Sequence, residues 1–128
     1  MRAIKLDLGG SFSVFDLQPY PHLHDVLESH FDIVFLNGPL ARHPRQVTVG
    51  IAVDDEGHRK GLPVNTLASS LCGVFKLQDV PLVGTAVVVG SDWQGDNIDV
   101  PSWAIELVTE LRRCTMEAFK YAQRAGDN

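Results

Sequence analysis

Between Gln46 and Asp54 the chain alternates without a break: Val47, Val49, Ile51 and Val53 fall on one side, Thr48, Gly50, Ala52 and Asp54 on the other. A period of two puts successive side chains on opposite faces of a strand, so this segment has to lie in a sheet with an apolar layer against one face. A lone strand leaves its backbone N–H and C=O groups unpaired, so it requires neighbours, and the sequence offers them. Residues 2–8 also alternate, with Ile4, Leu6 and Leu8 opposite Ala3, Lys5 and Asp7. Gly9-Gly10-Ser11 turns the chain, and residues 12–17 return with Phe12 and Val14 on one face, which predicts a β-hairpin. Residues 32–36 form an apolar run read as a buried strand, ended by Asn37-Gly38-Pro39. Leu82–Val89, nearly all apolar and β-branched, is expected at the centre of the sheet, and Ile98–Val100 as a last short strand.

The apolar layer must come from segments whose period changes to 3.6. Pro21 suits a first helical position and leads into Leu23, Val26, Leu27 and His30 or Phe31. Thr66–Cys72 reads as a short helix, with Asn65 as its cap and Gly73 as its stop. After Pro101 the longest helix runs to about Ala125. Its inner face is Ala104, Leu107, Val108, Leu111, Thr115, Ala118, Phe119 and Ala122, and its outer face carries Glu106, Glu110, Arg112, Arg113, Glu117, Lys120 and Arg124. Acids lead and bases follow, which complements the helix dipole. Trp103 is read as core. The order ββαββαβ(β)α predicts one α+β domain over residues 1–128, with a mixed or antiparallel sheet of about five to six strands under one layer of helices.

Charge narrows the partners. Eleven Lys and Arg against sixteen Asp and Glu give a net charge of −5, and the basic residues form only short clusters, so no nucleic-acid stripe is expected. Cys72 and Cys114 form no CxxC pair; both are read as reduced core residues. The N-terminus lacks the apolar stretch of a secretory leader, and no apolar run approaches about 20 residues. The expectation is a cytoplasmic protein with no membrane partner and no cofactor.

The middle of the chain carries a further signal. In order, it contains Asp55-Glu56-Gly57, Gly61-Leu62-Pro63-Val64-Asn65, Ala68, Val83-Gly84-Thr85-Ala86-Val87-Val88-Val89-Gly90, Gly95 and Asp99. Over residues 54–99 this resembles a small family of bacteriophages and mobile elements catalogued as domain of unknown function 3846. The resemblance implies a mobile-element setting and carries over no catalytic residue.

Four segments hold side chains suited to chemistry. His22, His24 and Glu28 are candidate zinc ligands. His24 and Glu28 share a helix face, but His22 lies about 200° from His24 and joins them only if the first turn is not helical; otherwise this is a solvated face. Asp54-Asp55-Glu56-Gly57 offers carboxylates for a hard cation but lacks the alternating ligands of a calcium loop, and a charged turn explains it better. Arg59 and Lys60 precede Asn65 and Thr66, so two cations stand beside a helix start with unpaired N–H groups, a place that attracts anions. The competing reading is that Asn65 only caps its own helix. Finally, Asp92 and Trp93 lie in a polar loop after the central strand, where an indole either stacks on a ligand or folds back over the sheet edge.

No Gly-x-Ser-x-Gly elbow and no nucleotide-hydrolase phosphate loop occurs. The functional expectation is therefore a phage-type accessory protein that binds and sequesters a host molecule, either a nucleotide-like signal or a defence protein, without catalysis. Arg59, Lys60, Asn65, Thr66, Asp92 and Trp93 would form its site. The alternatives are a small metal-dependent hydrolase using His22, His24 and Glu28, and a regulatory or structural homo-oligomer joined through the last helix.

Overall fold

The computed structural model describes residues 1–17, 26–27, 30–36, 47–75, 81–92 and 96–126, with the side chains of the last helix described as far as Glu117. Among these residues six strands form one sheet: β1 (Arg2–Leu6), β2 (Phe12–Asp16), β3 (Phe31–Phe35), β4 (Thr48–Asp54), β5 (Ala86–Ser91) and β6 (Asn97–Ile98). The order is β2-β1-β5-β4-β3, every pairing is antiparallel, and β6 pairs with β5. Two helices follow the expected places, α1 (Thr66–Val74) and α2 (Ser102–Gly126). The fold is the α+β domain with a long last helix that the sequence predicts.

The alternating residues of β4 sort as their period requires. Val49, Ile51 and Val53 join Ile4, Leu6, Ala86 and Val88 in the main core, under Leu67, Leu71 and Cys72 of α1 and Ala104 and Val108 of α2. At about 25 cal/mol per Å² of apolar surface, this cluster is the main term holding helices to sheet. The other face is not bare. Ala3, Leu17, Val87 and Val89 form a second apolar cluster, with Val26 and Leu27 packed on it. The single helical layer expected from the sequence is thus corrected: β1 and β5 bury residues on both faces. The helix expected from Pro21 lies otherwise outside the described residues.

Two glycines fix how β5 starts and ends. Gly84 has φ +79°, and a Cβ there would stand 2.9 Å from Leu62 Cδ1. The expected strand Leu82–Val89 is therefore shortened, because the backbone turns at Gly84 and regular pairing begins at Ala86. Val83 pairs with Val64 in an isolated bridge. At the far end a Cβ on Gly90 would meet the Asp99 carbonyl oxygen at 2.9 Å, so glycine lets β6 close on β5. Here β1 and β6 share one edge of β5: β1 covers Ala86–Val88 and β6 covers Gly90 and Ser91. The Val100 N–H donates to the Arg2 carbonyl at 2.9 Å, joining the two edge pieces.

Two core assignments are corrected. Cys114 is exposed, whereas Cys72 is buried and its thiol pKa is raised by burial. Trp103 is 38 % exposed and lies over the outer surface, tilted against Phe75 with ring centroids 6.2 Å apart. Among the described residues no helix is long and apolar enough to cross a membrane.

Candidate functional site

Asn65 sits at the junction of sheet and helix, and it is fully buried. Its side-chain oxygen accepts from the Ala68 N–H at 3.0 Å, which is the capping bond the sequence predicts. Its amide nitrogen donates to the carbonyls of Leu6 and Gly84, each at 2.9 Å. These three bonds tie the start of α1 to the ends of β1 and β5 and leave no polar atom of Asn65 for a surface ligand. Neighbouring bonds support the same joint: Asn65 N–H donates to Leu82 O, and Ser69 Oγ accepts from Leu82 N–H.

Arg59 and Lys60 belong to a turn that answers its own charges. Lys60 Nζ donates to Asp54 Oδ2 at 2.7 Å, and Asp54 Oδ1 accepts from the Glu56 N–H at 2.8 Å. Arg59 pairs with Glu56 at 3.2 Å. The Lys60 pKa is raised, chiefly by the hydrogen bond to Asp54. The acids that looked like a cation site and the bases that looked like an anion site are thus each other's partners. Lys60 and Asp54 line a groove of about 400 Å³ with Lys5, Leu8, Val26, Leu27, Leu62, Gly84 and Thr85. Lys5 alternates with Ile4 and Leu6 along β1, so this groove lies on the face opposite α1 and α2.

Thr66 lies elsewhere. A second groove, of about 330 Å³, brings Thr66 and Leu67 of α1 together with Gly9, Gly10, Arg112, Thr115 and Met116. Thr66 and Leu67 are the first residues of the helix, where backbone N–H groups have no intrahelical acceptor. Arg112 forms no ion pair among the described residues. Its neighbour Arg113 is held by both Glu110 and Glu117. The groove therefore combines a helix N-terminus and a guanidinium that has no ion-pair partner among the described residues with the exposed Met116, over the buried Leu67. The sequence reading placed Arg112 on the outer helix face and missed this role. The available signal was its spacing, four residues after the inward Val108 and three before the inward Thr115, which puts Arg112 at the border of the buried face.

The remaining candidates separate. Asp92 follows β5 at its far end, and about 17 Å of strand divides Ala86 from Ser91, so residues 58–66 do not converge with Gly90–Asp92. Asp92 closes its own loop: its Oδ1 accepts from the Asp96 N–H at 2.9 Å. Trp93, His22, His24 and Glu28 lie outside the described residues. Among the described residues no group of three or more His, Cys, Asp or Glu side chains is placed to hold a metal ion. No protein-family model, curated protein or solved structure matches this chain.

Proposed function

We propose that this protein is a non-catalytic binding module that captures a small anionic, nucleotide-like ligand in the groove at the start of α1. One observation carries the reading: Arg112 stands, without an ion-pair partner among the described residues, in the same groove as Thr66, Leu67 and the Gly9-Gly10 turn. A helix N-terminus and a guanidinium both favour phosphate, and the exposed Met116 suits the apolar face of a base or a similar ring. The volume of about 330 Å³ matches the lower end of small-ligand pockets, the size of a mononucleotide moiety. The resemblance of residues 54–99 to the mobile-element family supplies the setting, a phage-type accessory protein that sequesters a host signal.

Titration calorimetry with AMP, ATP and a cyclic dinucleotide tests this. At least one should bind, and Arg112→Ala should weaken it about tenfold. Lys60→Ala, on the opposite face, should leave the affinity unchanged. If none of the three binds, or if Arg112→Ala binds as tightly as the parent protein, the reading is wrong.

A further inference from the structure

The sequence of α2 carries an unusual order of charge. Glu106, Glu110, Arg113, Glu117, Lys120 and Arg124 are spaced four, three, four, three and four residues apart. At about 100° per residue these positions fall within one stripe about 80° wide, opposite the buried Ala104 and Val108. The first four are exposed. Read from the N-terminal end, the stripe runs acid, acid, base, acid, base, base. Reversing its direction and inverting every sign gives the same order, and the spacing reads the same both ways.

A stripe with that property is complementary to itself in antiparallel orientation. We propose that α2 is a pairing surface for a second copy of this chain, the two helices running antiparallel about a two-fold axis level with Thr115. Glu106 then faces position 124 of the partner copy, Glu110 faces position 120, and Arg113 faces position 117, each acid opposite a base and each pair occurring twice. A two-fold interface uses the same patch on both copies, as a self-complementary stripe requires. The parallel alternative sets every charge against its own sign. Arg113 is already held between Glu110 and Glu117 within one helix, so the centre of the stripe is ordered before it meets its partner. Trp103 and Leu107, the one exposed and the other half-buried, lie on the flank of the stripe and add apolar surface. Arg112 lies off the stripe, so this pairing is independent of ligand capture.

Sedimentation of the full chain at low ionic strength should show a dimer at sub-millimolar concentration, weakened about tenfold at ~0.5 M salt. Glu106→Arg with Glu110→Lys should weaken it at least as much, while circular dichroism shows the helix retained. Adding Lys120→Glu with Arg124→Glu reverses the four outer positions together, keeps each acid opposite a base about the same axis, and should restore the dimer. Cys114, exposed and one residue from the axis, should be joined to its copy by a short bis-maleimide. A protein that stays monomeric at low salt overturns the proposal. So does a dimer indifferent to the charge reversals, one the fourfold reversal does not restore, or one in which Cys114 is not cross-linked.

Discussion

Two sets of cations relate to the start of α1, one by position in the chain and one by position in space, and they differ in what they are free to do. Arg59 and Lys60 come just before the helix in sequence, yet each is spent on an acid of its own turn, Lys60 on the nearly buried Asp54 and Arg59 on Glu56. Arg112 is some 46 residues beyond Thr66, yet it lines the same groove and has no counter-ion among the described residues. A cation next to a helix end along the chain is therefore not the cation next to that end in space. Availability of charge depends on what the nearest turn has already neutralised.

Asn65 divides these two regions, and its loss should have the largest effect. Asn65→Ala strands the Leu6 and Gly84 carbonyls and the Ala68 N–H in a buried setting, and should cost about 3 kcal/mol of stability in urea denaturation. A loss under about 1 kcal/mol would mean that the joint is held by packing alone. Gly84→Ala should come next, at about 2 kcal/mol, because the backbone there has φ +79° and the new methyl meets Leu62. The comparison itself is sharpened by a pair of single variants. Lys60→Ala should lower the urea midpoint and leave nucleotide affinity alone, whereas Arg112→Ala should do the reverse. Equal effects of the two variants on affinity would erase the distinction between the groups.

The smallest effect concerns Glu110, whose pKa is lowered chiefly by the hydrogen bond from Arg113. A carboxylate with a depressed folded-state pKa stabilises the fold above its unfolded pKa of about 4.3 and loses that contribution as pH falls through the folded value. Glu110→Gln should therefore flatten part of the decline in urea midpoint below about pH 4.5 and change little near neutrality. The group is exposed, so the difference should be slight.

Most of the sheet could be read from the chain because period-two patterns carry their own geometry. The β1–β2 hairpin, β4 and the Asn65 cap all follow from local residues. Leu82–Val89 misled at its start because a β-branched run gives no sign of where a positive φ will interrupt it; Gly84 was the cue. Residue type alone puts Cys114 and Trp103 in the core, although each lies about 100° or more around the helix from the centre of its buried face. The groove was the least legible part. Helical spacing puts Arg112 at the border of the buried face, but only the packing of α2 against α1 and the position of the Gly9-Gly10 turn bring it to Thr66. No local pattern encodes that meeting.

The placement of β1 beside β5 has a consequence in time. Leu6 pairs with Ala86 and Ile4 with Val88, so during synthesis the first hairpin leaves the ribosome some 80 residues before its central partner exists. At roughly 5–20 residues per second that interval is on the order of 4–16 s. Throughout it the inner edge of β1, with Ala3, Ile4 and Leu6, is an open template for other chains. Yield in the cell should then depend on how this hairpin is shielded while it waits, and slower translation across residues 7–85 should raise the aggregated fraction without altering the stability of the finished fold.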